Sequence, residues 1–305
     1  MNQSYKYYFQ VHLAVLLFGA VGLFGKLIQL SSGGIVLGRA LLGAIFILGV
    51  SPIYTLYQNQ KRATLPLDSF AKPKTALFEQ FRPKTVKDLL FFGILGSILA
   101  FHWIAFFEAI QRSSVTIGVL TFSTFPIFTI LFAPWFNKER LLFSDLVLAV
   151  IAFGGILLVM PSFSFEHQHT QGALWGVASG ASFAILTLIS QLMINGYSSN
   201  CVSFYQNGVA ALILLPFFSA DVLAGSSKDW FYLVLLGVIF TGIAHTMFIN
   251  SMNGIKAQTA SLITNLEPVY GILLAWLFLG ETPHANVLLG GGLILAVAFF
   301  AMKKK

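Results

Sequence analysis

The sequence predicts an all-α membrane protein with ten transmembrane helices arranged as an inverted 5+5 repeat. Three observations carry that expectation: a composition too apolar for water, ten apolar runs of spanning length, and two halves of the chain that can be laid over each other. Of the 305 residues, 57% are hydrophobic and 10% are charged, with a mean hydropathy of +0.81. Soluble domains carry roughly a quarter charged residues. A helix rises about 1.5 Å per residue, so about twenty apolar residues cross a hydrocarbon core of ~30 Å.

The first run, Phe9 to Ile28, is too long, and too closely followed by another, to read as a cleaved secretory signal. Gly19, Gly22 and Gly25 line it and allow close helix approach, and Lys26 sits at its end. The second, Ile35 to Tyr57, carries Arg39 early and leads into a basic segment over residues 58–86. The third, Leu89 to Phe107, contains His102 and Trp103, with Glu108 at its end. The fourth, Val115 to Trp135, encloses Pro126, and the fifth is Leu142 to Met160. After an EHQH loop at 166–169, the sixth run, Gly172 to Ile194, holds a GxxxG at Gly176 and Gly180. The seventh, Val202 to Ser219, contains Gln206 and Asn207, and the eighth, Trp230 to Asn250, contains His245. The ninth, Thr259 to Leu279, places Asn265, Glu267, Pro268 and Tyr270 within six residues, and Asn286 to Met302 is the tenth.

The charges sort by loop. Lys6, the seven basic residues between Lys61 and Lys87, Lys138, Arg140, Lys256 and Lys303 to Lys305 fall on one side, whereas Arg112 and Lys228 fall on the other. That bias puts both termini in the cytoplasm and supports an even number of spans. It also explains the net charge of +7 without any nucleic-acid partner. A single cysteine, Cys201, excludes an internal disulfide and a multi-cysteine metal site, and is expected to be a packing residue.

The halves match at FGILGSILAFHW, from Phe92, and LLGVIFTGIAHT, ending at Thr246, which sets His102 against His245. Pro126 precedes Glu139 by the same spacing as Pro268 precedes Glu281, giving two P-x12-E units and a kink expected in the fourth and ninth helices. Five spans per half make the second copy enter the membrane from the opposite side, an arrangement that builds a midplane site open to either face in turn. Glu267 falls outside the repeat, because Phe125 stands at its counterpart position.

On these residues the chain resembles the drug/metabolite transporter superfamily, in its EamA-type ten-helix family. LEPVYGILLAWLFLGE at 266–281 carries most of the likeness, with PIFTILFAPWFNKE at 126–139 as its weaker counterpart and Arg39 early in the second span. The resemblance implies a basket-like bundle around a central cavity, two EamA-like halves at 1–160 and 161–305, and metabolite transport by alternating access. Two features depart from the pattern: the 58–86 segment is longer than a short loop, and the first half ends in NKE rather than GE.

Ionisable groups inside spans cost ~2.5–3.5 kcal/mol at the helix centre on insertion scales, so they mark pathways. Glu267 is the leading candidate, as a carrier of a coupling proton, a partner for Arg39 or a substrate amine, or a group that only bonds the backbone freed by Pro268. Arg39 suits a carboxylate or phosphate, with Gln206 as its approximate counterpart. His102 and His245 are candidate gates or proton relays, expected toward opposite faces of the membrane. Trp103 and Tyr270 are placed nearest the cavity, and most of the 31 phenylalanines toward lipid. Asn265, about 200° around the helix from Glu267, is expected to bridge to a neighbouring helix. Lys26 is a further candidate, at a helix end where it can snorkel.

No P-loop, dinucleotide fingerprint, HExxH or GxSxG is present, so the sequence indicates neither ATP-driven transport within the chain nor a familiar hydrolase, and calls for no cofactor or metal. The expected function is secondary active transport of a small metabolite, an amino acid or related compound, across an inner membrane. Exchange of a nucleotide sugar or organic phosphate, and a non-transporting sensor whose basic loop meets a partner or anionic lipid, are the competing readings. The cargo, the direction, the coupling ion and the oligomeric state stay open.

Overall fold

The computed structural model describes residues 3–63, 81–137, 140–159 and 166–303. The helices of the first half are α1 (Gln3–Leu27), α2 (Ser32–Ala63), α3 (Val86–Arg112), α4 (Val115–Phe122), α5 (Phe125–Asn137) and α6 (Phe143–Val159). The second half contains α7 (Gln168–Met193), α8 (Ser199–Leu223), α9 (Ser227–Leu235), a π-helical turn (Leu236–Ile243), α10 (Ala244–Ser251), α11 (Ala257–Thr264), α12 (Glu267–Leu279) and α13 (Ala285–Lys303). Grouped by continuity they make ten units. Eight are long and apolar enough to cross a membrane by length and composition, and the shorter apolar helices Phe143–Val159 and Ala285–Phe300 complete the set.

Capping boxes start the third unit of each half. Thr85 accepts from the backbone N–H of Asp88 while Asp88 Oδ2 accepts from the backbone N–H of Thr85, and Ser226 and Asp229 repeat the arrangement. Each box satisfies donors that a helix start leaves without partners.

The packing follows the repeat. The second unit of each half packs on its own counterpart, α2 on α8, and the fifth on its own, α6 on α13. The first and third units cross over, α3 against α7 and α10 against α1. Small residues set the closest approaches. Gly155 and Gly290 meet where α6 crosses α13, each against the other's backbone carbonyl. The GxxxG of α7 works the same way, Gly180 lying against the Phe122 carbonyl and Gly176 against Thr121. Gly19, Gly22 and Gly25 bring α1 onto Tyr270, Val115 and Ile110 respectively.

The prolines do less damage than interior residues would. The fourth and ninth units are each interrupted by two residues, Ser123–Thr124 and Asn265–Leu266, and Pro126 and Pro268 lie in the first turn of the half-helix that follows. A first-turn residue has no intrahelical N–H bond to lose, so the ring is tolerated there. The expected kinks are therefore helix breaks with the prolines restarting the second half.

The glutamate of the second P-x12-E unit has a structural task. Gly280, with φ 68°, closes α12 in a left-handed turn that only glycine adopts freely. Glu281 then reaches across to α4, where its carboxylate accepts from the backbone N–H of Val115 at 3.1 Å and of Thr116 at 3.2 Å, and from the Thr116 hydroxyl at 3.2 Å. One half thus caps a helix of the other. Glu139, its counterpart, and residues 64–80 of the basic segment lie outside the described residues.

Replacing Glu281 with alanine strips the start of α4 of this cap and is expected to cost about 1 kcal/mol. The thermal midpoint of the purified protein should fall, and Glu281→Gln should fall less. An unchanged midpoint for Glu281→Ala would show that Ser114, which also caps α4 through the Ile117 N–H, suffices alone.

Candidate functional site

Ten side chains from both halves line one small cavity of about 30 Å³. Phe18 and Val21 come from α1, Arg39 from α2, His102, Trp103 and Phe106 from α3, Phe122 from the end of α4, Phe183 from α7, His245 from α10 and Glu267 from the start of α12. Most of these positions fall near the middle of their units. Glu267 and Phe122 border the two helix breaks.

Arg39 is 2% exposed. Its guanidinium lies over the indole of Trp103, 3.8 Å from the ring centroid, and Nε donates to Thr241 Oγ1 at 2.9 Å. Stacking on an aromatic face and one hydrogen bond hold a planar cation while leaving its terminal amino groups for a ligand. Glu267 is 4% exposed and faces the same cavity. Among the described residues no group hydrogen-bonds its carboxylate, and the single ion pair is Arg112 with Glu108, at 2.5 Å. Glu267 therefore neither touches Arg39 nor ties down the backbone freed by Pro268. A base and an acid look into one small space without contact.

The π-helical turn places Arg39's partner. Gly96 and Gly237 each lie eleven residues beyond their capping residue, Thr85 and Ser226, and each packs on α2 or α8 at equivalent points: Gly96 against the Gln206 carbonyl and Gly237 against the Arg39 carbonyl. Beyond them the halves diverge, because the second copy has two more residues before its histidine. The wider turn over Leu236–Ile243 absorbs that extra length and turns Thr241 toward Arg39. Arg39 and Gln206 also match, each lying seven residues past the first residue of its helix.

The two histidines line the same cavity rather than opposite faces of the membrane. A repeat axis near the midplane brings the two copies of a mid-helix residue together instead of separating them. His102 Nδ1 lies 3.0 Å from the Ser179 carbonyl oxygen and 2.9 Å from Ser179 Oγ. His245 Nε2 lies 2.9 Å from Gln206 Oε1, and its ring meets Trp103 edge-on at 5.6 Å.

Three other expected contacts fall elsewhere. Gln206 is fully buried behind His245. Tyr270 packs on Gly19 of α1 and is not part of the cavity wall, since its face of α12 is taken by α1. Asn265 ends α11 inside the break, and its amide oxygen and nitrogen are buried with no partner among the described residues, so it does not bridge helices. Lys26 closes the end of α1, with Nζ donating to the Ser113 carbonyl at 3.1 Å. A minority of the phenylalanines fill the interior: Phe18, Phe106, Phe122, Phe125, Phe183 and Phe248 pack ring to ring in and behind the cavity wall.

Sequence reasoning missed Thr241, Ser179 and Ser190. Each is a small hydroxyl in an apolar run, and Thr241 precedes His245 by four residues, the spacing of one helix face. Hydroxyls this common inside membrane helices bond back to their own helix, as Thr187 and Ser182 do here, so identity alone does not single them out.

The profile of the EamA-like transporter family matches residues 6–160 and 170–303. An uncharacterized transporter, YxxF, of Bacillus subtilis is 25% identical over 288 residues, covering 93% of this chain and 85% of that protein. The pseudopaline exporter CntI of Pseudomonas aeruginosa is 26% identical over 222 residues, 71% of this chain and 74% of that one. An S-adenosylmethionine uptake transporter of Rickettsia conorii is 24% identical over 207 residues, 67% and 69% of the two chains. One crystal structure superposes with a TM-score of 0.63 over 97% of this chain and 98% of the other at 17% identity, a likeness of fold alone.

The isolation of Glu267 yields a stability prediction. With no hydrogen-bond partner among the described residues, the Glu267 carboxyl holds no part of the fold by hydrogen bonding, so Glu267→Gln should hold the thermal midpoint of the purified protein or raise it by roughly 2–4 °C, the shift expected from about 1 kcal/mol in a chain of this size. A fall of that size or more would show that the carboxyl is structural.

Proposed function

Because the chain belongs to the EamA-like transporter family, a family of transporters and not of enzymes, we propose that it moves an amino acid or a closely related amphoteric metabolite by alternating access. The observation that carries this reading is the separation of Arg39 from Glu267 across one cavity. A ligand with both a carboxylate and an ammonium group gives each of them a partner. The guanidinium takes the carboxylate, and the Glu267 carboxylate takes the ammonium. The wall of Phe18, Val21, Phe106, Phe122 and Phe183 suits an apolar side chain.

The cycle follows from the repeat. The halves 1–160 and 161–305 rock about the α2–α8 and α6–α13 crossings, and the cavity between them opens to each side in turn. Glu267 alternates between cargo and proton, which couples the movement to a proton gradient across an inner membrane with both termini in the cytoplasm. Relatives named for export and for uptake show that the scaffold itself fixes neither direction nor cargo. A single guanidinium in the cavity disfavours nucleotide sugars, whose diphosphate calls for more than one cation.

A thermal-shift screen of the purified protein against amino acids, sugar phosphates and nucleotide sugars should stabilise it with amino acids only, since a ligand of the native state raises apparent stability. In proteoliposomes carrying a labelled hit, Glu267→Gln should abolish uphill accumulation while exchange of cargo for cargo survives. Equal loss of both activities would remove the coupling role. Stabilisation by phosphorylated compounds alone would replace the amino-acid reading.

A further inference from the structure

Two hydrogen-bond chains behind the cavity histidines fix where each ring carries its proton. On the α10 side, Ser190 Oγ donates its single proton to the Leu186 carbonyl at 2.6 Å. Ser190 can then only accept, and it accepts from Gln206 Nε2 at 2.7 Å. That orientation turns Gln206 Oε1 toward His245, so the 2.9 Å contact requires a proton on His245 Nε2. A neutral His245 carries its lone pair on Nδ1.

On the α3 side the outcome reverses. Ser179 Oγ lies 2.9 Å from His102 Nδ1 and 3.1 Å from the His102 carbonyl, and with one proton it serves both only by donating to the carbonyl and accepting from Nδ1; the Ser179 carbonyl, which has no proton to give, lies 3.0 Å from the same nitrogen. The proton must sit on Nδ1. A neutral His102 therefore carries its lone pair on Nε2. Among the described residues neither lone-pair nitrogen has a hydrogen-bond partner, and both rings line the cavity.

We propose that Ser190 and Gln206, together with the Ser179 carbonyl, are positioning groups that lock the two repeat-related histidines in opposite tautomers, so that the cavity offers its cargo two proton-free ring nitrogens. The charged groups facing these rings are Arg39 and Glu267. Arg39 is held by Trp103 and Thr241 with its terminal amino groups turned to the cargo's carboxylate, which leaves the two nitrogens to N–H groups arriving with the cargo. The preference for an ammonium that can donate several hydrogen bonds, over a quaternary one of equal charge, rests on the carrier reading above. The tautomers do not.

The test is nitrogen NMR of the full chain, labelled with ¹⁵N-histidine, in lipid nanodiscs, with the two signals assigned by their loss in His102→Gln and His245→Gln. Among the six histidines of the unsubstituted protein, the two cavity rings should appear as an Nδ1–H ring, His102, and an Nε2–H ring, His245. Ser190→Ala frees Gln206 to rotate and should convert His245 alone to a mixture of tautomers, while Ser190→Thr restores the original signal. Ser179→Ala should leave His102 in place, because the backbone carbonyl remains. Two assigned rings in the same tautomer, or a His245 signal indifferent to Ser190→Ala, would overturn the proposal, and the first point is decided without any serine variant. For recognition, each amino acid that stabilises the protein is compared with its N,N,N-trimethyl form, which keeps the charge and removes every N–H. Binding should weaken by about tenfold or more. Equal binding would overturn the acceptor role, whereas a panel with no stabilising amino acid would sink the amino-acid reading and leave the tautomers to the spectra.

Discussion

A guanidinium in the middle of a membrane protein has to be held, and much of the site follows from how Arg39 is held. The cation is out of water, so its cost has to be offset by neighbours that do not neutralise it, or no ligand would find it available. The Trp103 face and the Thr241 hydroxyl meet that condition. Thr241 reaches it only because the helix widens into a π turn, and the widened turn fits beside α2 only because Gly43 and Gly237 let the two backbones approach. A residue choice at one position thus constrains backbone geometry on another helix.

The same logic governs the interrupted helices. In lipid every backbone polar group needs a partner inside the protein, and Ser123, Thr124 and Asn265 at the two breaks are buried while Leu266 is exposed. Local hydroxyls take up part of the need, Ser123 bonding the Val119 carbonyl and Thr124 the Thr121 carbonyl. Glu281 meets the same need at the start of α4, which it caps from the other half. The break at Asn265–Leu266 in turn places Glu267 in a first turn beside the cavity.

Pseudo-symmetry builds the cavity, and departures from symmetry give it chemistry. Arg39 faces Gln206, Glu267 corresponds to Phe125, and Trp103 to Thr246, which bonds Ser203. Arg39, Glu267 and Trp103 thus each have a counterpart of different character, while the histidines are kept as a pair, though held through different ring nitrogens. A site made this way can recognise a ligand with two unlike ends, which a truly symmetric cavity could not.

The sequence by itself determined the number of spans, the two halves, the burial of Arg39, His102, His245 and Glu267, and the membership of Trp103 in the cavity, because apolar length and misplaced charge are one-dimensional signals that lipid makes expensive to violate. Tertiary structure decided the rest. Whether Arg39 and Glu267 paired, whether the histidines faced apart or together, and whether Gln206 met the cargo or stood behind His245 all depend on where the two halves meet, and no spacing along one helix reports that. Thr241, Ser179 and Ser190 stayed hidden for a related reason. A hydroxyl in a membrane helix satisfies itself on its own backbone almost anywhere, and only the approach of a second helix gives it a partner that matters.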